Sequence, residues 1–184
     1  MTEPGFAPVT ATASTDFSAE AFRLALGQFA TGVTVVTTLD QDGAPVGLTA
    51  NSFSSVSLEP PLVLWSLGVS ASSLALYRDC SHYAVNVLAS GQIELSRRFS
   101  TRSVPAKHRF EGIEWRRGTH GVPIIANSCA WFLCSNRSRY LEGDHVIFVG
   151  EVQELGFMPN EPLIFQNGQY HMTQPHPTSG AKVA

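Results

Sequence analysis

The stretch Gly47-Leu48-Thr49-Ala50-Asn51-Ser52-Phe53-Ser54-Ser55-Val56-Ser57 decides how the rest of the chain is read. Strongly apolar runs flank it, residues 33–39 before and 62–67 after. Both flanks are short, rich in β-branched or branched apolar side chains and bounded by turn residues, the pattern of buried strands. The stretch between them carries four serines, a threonine and an asparagine where a packed barrel would place apolar side chains. Small hydroxyl and amide groups on strand-like backbone can hydrogen-bond a polar ligand lying close to the main chain. The same pattern suits the solvent face of an amphipathic strand. The surrounding chain has to separate the two.

Upstream, residues 33–39 run into the turn signal Asp42-Gly43 and return through residues 47–51, which predicts a hairpin with positive φ supplied by Asp-Gly. A helix is expected before it, from Ser18 as N-cap to Ala30, with Phe22, Leu26 and Phe29 on one face and Gly32 as the stop. That face is apolar enough to pack on a sheet, laid across a barrel end. Downstream, Pro60-Pro61 launches residues 62–67, apolar on both faces and so read as fully buried. A short helix carrying Leu74, Leu76 and Tyr77 follows a cap within residues 70–73. Next come a strand over 83–88 and a helix from Ser90 to Phe99. Residues 100–120 are charged and loop-like, a length that points to function or an interface. Strands are expected at 130–136 and 145–155, joined by a turn ending in Gly143. The fold closes with residues 163–165, an Asn167-Gly168 turn and residues 169–172.

About seven strands and two or three helices, with hairpin connections and no alternating βα repeat, predict a mainly β antiparallel barrel with a few helices. The domain is placed at residues 17–173, between a disordered tail at 1–16 and a loose tail at 174–184. At 184 residues, one domain with a substantial core is expected. Charged residues make up only 15% of the chain, so apolar surface needs a ligand cavity or a second subunit to cover it. A net charge of −3 without a Lys/Arg-rich run argues against nucleic acid. Cys80, Cys129 and Cys134 form no Cys-x-x-Cys pair, and neither a leader nor a membrane-length apolar run is read, so a reduced cytoplasmic protein is expected. The six histidines are scattered without metal-ligand spacing, and no metal site is expected.

Glycine-rich phosphate loops and the Gly-x-Ser-x-Gly elbow are absent, and Cys134 on a predicted strand reads as core rather than nucleophile. Hydride transfer fits such an inventory, because there the cofactor carries the chemistry and the protein supplies position.

Several ordered motifs now converge. Phe22-Arg23-x-x-Leu26-Gly27-x-Phe29-Ala30-Thr31-Gly32-Val33-Thr34-Val35 is followed by Gly47-x-Thr49-Ala50-Asn51-Ser52-Phe53. Then come Ser55-Val56-Ser57-Leu58-Glu59-Pro60-Pro61-Leu62-Val63, Val85-Asn86-Val87-Leu88, Phe99, Gly143-Asp144-His145 and Pro162-Leu163. Over residues 19–172 the chain resembles the short flavin reductases of two-component flavin monooxygenase systems, which have a flavin-binding split barrel of Greek-key type. The resemblance implies a homodimer that reduces FMN or FAD with NADH or NADPH and releases reduced flavin, by diffusion, to a partner monooxygenase. It places Pro45, Val46, Gly47, Leu48, Thr49, Ala50, Asn51 and Ser52 along the flavin ring and ribityl chain. Ser66, Leu67, Gly68, Ser72 and Ser73 match positions near the ribityl and phosphate, and Arg98-Phe99 match a helix end approaching the phosphate. Asn86 is a further cofactor candidate, or a buried amide satisfying strand backbone. Phe53 to Ser57 continue the wall and the dimer surface.

His145 matches the nicotinamide side, where it would orient the carboxamide or support charge on reduced flavin; the alternative is a turn histidine bonded to Asp144. Phe165, Gln166, Asn167 and Gly168 match a pyridine-nucleotide position and read equally as an Asn-Gly hairpin, with Tyr170 and His171 as flanking aromatics or filler. Relatives commonly carry an acidic residue before the Arg-Phe of the mid-chain loop; here it is His108 before Arg109-Phe110. Two other readings stay open, a split-barrel flavin oxidase acting on a bound substrate and a non-catalytic flavin- or haem-binding module.

Overall fold

The computed structural model describes residues 15–101, 104–105 and 108–176, so most of both tails lies outside the described residues. Strands β1 (Thr31–Gly32), β2 (Thr34–Leu39) and β3 (Pro45–Ala50) open the sheet region, β2 and β3 as an antiparallel hairpin with Thr37 opposite Gly47. At its turn the Asp40 carboxylate accepts from the Asp42 and Ala44 amides. Only Gly43 has positive φ there, at 76°, so Asp42-Gly43 supplies one left-handed residue rather than two.

A cis Glu59–Pro60 bond joins β4 (Ser54–Leu58) to β5 (Pro61–Gly68). With β6 (His82–Val87), β9 (Ala130–Glu142) and β10 (His145–Phe157), these strands form a seven-stranded antiparallel sheet ordered β3-β2-β6-β9-β10-β5-β4. No ladder joins the two end strands. One core cluster nevertheless takes Val36, Leu48 and Ala50 from one end and Val63 and Trp65 from the other, around Tyr77, Tyr83, Cys134 and Phe148. Contact between opposite ends of a sheet requires it to curl round its own core, which is the barrel-like arrangement with an open seam. Within β5 only Val63 and Trp65 are buried. Residues 62–67 are therefore not buried on both faces as their sequence predicts, because one face of β5 lies outside the curl.

The region of residues 100–120 is not loop throughout: β7 (Trp115–Arg117) pairs with β8 (Pro123–Ile125). Strands β11 (Ile164–Gln166) and β12 (Gln169–His171) join β1 in a small sheet ordered β1-β11-β12. Their turn has positive φ at both Asn167 (48°) and Gly168 (77°), the two-residue hairpin that an Asn-Gly pair favours.

Helix α1 (Ala19–Gly27) starts where expected, with the Ser18 hydroxyl accepting from the Ala21 amide at 3.1 Å. It ends near Gln28, short of Ala30, and Gly32 belongs to β1 instead of stopping the helix. None of its residues is buried, and Phe22, Leu24 and Leu26 are each more than half exposed. The expected packing of this helix on the sheet is absent. Helix α2 (Leu74–Asp79) buries Tyr77, whose hydroxyl donates to the Val36 carbonyl at 2.7 Å. Helix α3 (Ile93–Ser100), after a 3-10 turn at Ser90–Gln92, buries Ser96 and Phe99 and lies against β3.

Candidate functional site

Strand alternation divides β3. Leu48 and Ala50 belong to the barrel core, and Val46 is buried on the same parity, above half-buried Pro45. Gly47 and Thr49 turn the other way, toward α3, where the Thr49 hydroxyl donates to the Ser96 carbonyl at 2.7 Å. A Cβ on Gly47 would sit 2.7 Å from the Phe99 ring and 3.4 Å from Phe110. Aromatic packing behind the strand is therefore sufficient to account for the glycine. The side chains of Val46, Leu48 and Ala50 are likewise occupied by the core.

What remains of the stretch opens into a cavity. Thr49 and Asn51 line it with Val33, with Ser96 and Ser100 from α3, and with Phe165 and Tyr170 from the β11–β12 hairpin; its volume is about 210 Å³. The Ser96 and Tyr170 hydroxyls lie 2.9 Å apart, and the Phe165 and Tyr170 rings meet edge to face at 5.4 Å. The cavity thus joins Thr49 and Asn51 from the expected flavin stretch with Phe165 from the expected nicotinamide segment. Ser96 and Ser100 were not anticipated from the sequence, although four residues apart on one helix they share a face.

The second cluster adjoins the first through Ser52, the neighbour of Asn51. The Ser52 hydroxyl accepts from the Ser66 amide at 2.9 Å and donates to the Ser66 carbonyl at 3.2 Å, which pins the end of the stretch to β5. Leu67 packs on the core, and Gly68 stands opposite His145 in the β5–β10 ladder. His145 is half exposed, with Nδ1 2.7 Å from the Asp144 carboxylate. That hydrogen bond holds Asp144 below the usual carboxylate range. Cofactor-matched positions of β3 and β5 and the nicotinamide-matched histidine thus lie along one connected strip.

Other sequence-predicted residues fall elsewhere. Ser72 borders a groove shared with Asp40, Asp42 and Asp79, an acidic setting that opposes a phosphate, and Ser73 caps α2 without a side-chain hydrogen bond. Arg98 lines a different hollow with Glu94 and Glu114 and donates to the Glu111 carbonyl at 2.6 Å. Arg98 and Ser72 therefore do not form one phosphate site in this chain. Asn86 is fully buried: its amide donates to Val35 O and Thr37 Oγ1, and its oxygen accepts from the Ile125 amide. It braces β2, β6 and β8, and both ends of its amide are engaged by protein. The Phe99 ring is equally buried, in T-shaped contact with Phe110. Gln166 and Asn167 bond to the end of α1, through Gln166 Nε2 to Gln28 O and Asn167 Oδ1 from Gln28 Nε2, each at 3.1 Å. Gly168 completes that turn outside the cavity. Burial pushes the Cys134 thiol up to about 12, so it stays protonated as core. Among the described residues no group of three His, Cys, Asp or Glu is placed to hold a metal.

Comparison with known proteins identifies the family. Residues 26–174 match the flavin reductase like domain family. The chain is 43% identical to "FMN reductase (NADH) SmoA" of Agrobacterium fabrum, over 83% of this chain and 85% of that protein. It is 42% identical to "Flavin-dependent monooxygenase, reductase subunit HsaB" of Rhodococcus jostii, over 85% and 79%. Two relatives from Rhizobium meliloti are longer, and the match spans 43% and 58% of their lengths. Among solved structures, the Streptomyces globisporus NADH:FAD oxidoreductase SgcE6, in complex with NAD and FAD fragments, superposes with a TM-score of 0.77 at 38% identity, covering 86% of this chain and 93% of that one. The chain belongs to the flavin reductase-like family.

Proposed function

We propose that this member of the family is an NAD(P)H-dependent flavin reductase that supplies reduced FMN or FAD to a partner flavin-dependent monooxygenase, with reduced flavin passing by diffusion. The observation that carries the reading is the cavity where Thr49, Asn51, Ser96, Ser100, Phe165 and Tyr170 converge. Its hydroxyl and amide groups suit the polyhydroxyl chain of a flavin and its two aromatic rings suit a flat heterocycle. A nucleophile and base in hydrogen-bonding contact are not needed, because bound flavin supplies the hydride acceptor and leaves the protein a positioning problem, with reacting atoms about 3–3.5 Å apart.

His145 is the residue we assign to the nicotinamide. Its Nδ1 faces the Asp144 carboxylate, which favours the tautomer with the proton on Nδ1. Nε2 is then an acceptor for a carboxamide N–H, and the contact orients the ring without removing a proton. Ser52 keeps the strand end bearing Asn51 against β5, so both sides of the site move together.

The assembly in this reading is a homodimer. A cavity of about 210 Å³ is small beside the roughly 300–1,000 Å³ usual for ligand sites, which supports a site that a second subunit enlarges. The apolar face of α1, bare in one subunit, together with Val56 and Leu58 on edge strand β4, provides surface for that contact. Among the described residues the cysteines are free and no helix is long and apolar enough to cross a membrane. We place the protein in the cytoplasm.

The test is to mix the purified protein with FMN or FAD and with NADH or NADPH and follow nicotinamide absorbance. Sustained oxidation that depends on added free flavin is expected. Absence of turnover with every flavin and nucleotide pair sinks the reading. Flavin binding without turnover favours a binding module, and oxidation of a phosphorylated amine on tightly held flavin favours an oxidase. A monomer by sedimentation, with and without flavin, overturns the dimer.

A further inference from the structure

We infer that Arg109 is a positioning residue for the flavin cradle, acting from behind it as a clamp on backbone carbonyls. The inference rests on the proposed flavin site. The Arg109 guanidinium donates from Nε to Val104 O at 3.1 Å and from its terminal nitrogens to Gly47 O and Phe99 O at 3.2 Å and Thr101 O at 2.9 Å. All four acceptors are main-chain oxygens, and no carboxylate forms an ion pair with Arg109 among the described residues. A guanidinium has five N–H donors in a fixed plane, and here at least three of them are engaged by protein. Little is left over for a nucleotide or a partner protein, although the loop's sequence suggests such a contact.

The acceptors show what the clamp does. Phe99 O belongs to the last turn of α3, whose carbonyls have no partner within the helix, and a cation suits that end. Gly47 O belongs to β3, the end strand of the sheet, which has a partner strand on one side only. Arg109 therefore ties the C-terminal turn of α3 to the free edge of β3. Those two elements carry three of the cavity's polar groups, Ser96 and Ser100 on one and Thr49 on the other, and Asn51 lies one residue past the end of β3. The next residue, Phe110, fills the space beside Gly47 and meets the Phe99 ring at 5.0 Å. Charge and ring from adjacent residues thus set the spacing between strand and helix, and with it the width of the cavity.

Lysine cannot reproduce this, because a single ammonium cannot span carbonyls from separate elements as the planar fork does. The test compares Arg109→Lys and Arg109→Ala with Val122→Ala, a packing change in the core cluster formed with Ala84, Ile124 and Leu133. Flavin dissociation constants are measured by fluorescence quenching, thermal midpoints without flavin, and amide hydrogen exchange on β3. The expected result is flavin binding weakened about tenfold in Arg109→Ala, with Arg109→Lys between it and wild type, the equivalent of about one net hydrogen bond of lost ordering. Exchange at the β3 amides should rise in both, while Val122→Ala lowers the thermal midpoint and leaves binding unchanged. Should Arg109→Ala not fold, Arg109→Lys carries the test. Wild-type affinity in the folded Arg109 variants overturns the clamp, as does an equal loss of affinity in Val122→Ala. A wild-type protein that binds no flavin overturns the reading on which the clamp rests, a result distinct from either.

Discussion

At one end of the candidate site, Thr49 on β3 and Asn51 just past its end belong to a segment backed by the rings of Phe99 and Phe110 and by the guanidinium of Arg109. At the other, His145 is half exposed and has one side-chain hydrogen bond, to a fully exposed Asp144. The first end is held by burial and by hydrogen bonds across elements far apart in sequence; the second is a turn between two strands. A cradle that must keep its shape between turnovers needs the first kind of support. A position that meets a visiting nucleotide works with the second, where side-chain motion has little cost. If this contrast is functional, damage to the backed end should appear in stability and flavin affinity, and damage to the open end in rate.

The largest effect is expected beneath the backed end. Asn86→Ala leaves the Ile125 amide and the Val35 carbonyl without their side-chain partners, and should cost about 3 kcal/mol in denaturant unfolding. A loss under about 1 kcal/mol would show that water replaces the amide, and that the bracing is weaker than its geometry implies.

Gly47→Ala comes next. Its new methyl meets the Phe99 ring at 2.7 Å, so ring or strand must shift, at about 1–3 kcal/mol of overpacking and with weaker flavin binding. Unchanged stability with weaker binding would instead point to a ligand lying against Gly47 itself, and would redraw the boundary between backing and cradle.

At the open end, His145→Ala should lower kcat about tenfold, roughly 1.4 kcal/mol of positioning, with thermal midpoint and flavin affinity near wild type. Equal loss of flavin binding and of rate would make His145 a structural turn residue and erase the contrast. The smallest effect is assigned to Ser72→Ala. Facing Asp40, Asp42 and Asp79 rather than Arg98, it should leave flavin affinity unchanged within a factor of about two and stability within about 0.5 kcal/mol. A clear loss of affinity would return Ser72 to the site, with the remaining phosphate contacts supplied by a second subunit.

Much of the architecture could be read from the chain because it depends on neighbours. Ser18 caps its helix, Asn167-Gly168 makes a tight hairpin, and a β-branched run marks β2, all settled within a few residues. The family's motifs likewise singled out residues 47–52 and the Gly143-Asp144-His145 turn, which joins β9 to β10. Errors came where burial was inferred from composition. Residues 62–67 are apolar but for Ser66, yet only two are buried in β5, and no residue of α1 is buried despite its apolar face.

Within the cradle stretch, sequence established the residue types: an asparagine, a threonine and small serines on an extended backbone with a glycine among them. Tertiary structure decided which of these remain available. Val46, Leu48 and Ala50 face the core side, Gly47 makes room for Phe99, Ser52 is bonded to Ser66, and only Thr49 and Asn51 line the cavity. The reason is that a strand's period of two fixes which residues share a face, but not what covers that face. Coverage came from α3, from the β11–β12 hairpin and from Arg109, elements as far from Thr49 in sequence as Tyr170, 121 residues away, which leave no mark in the local pattern.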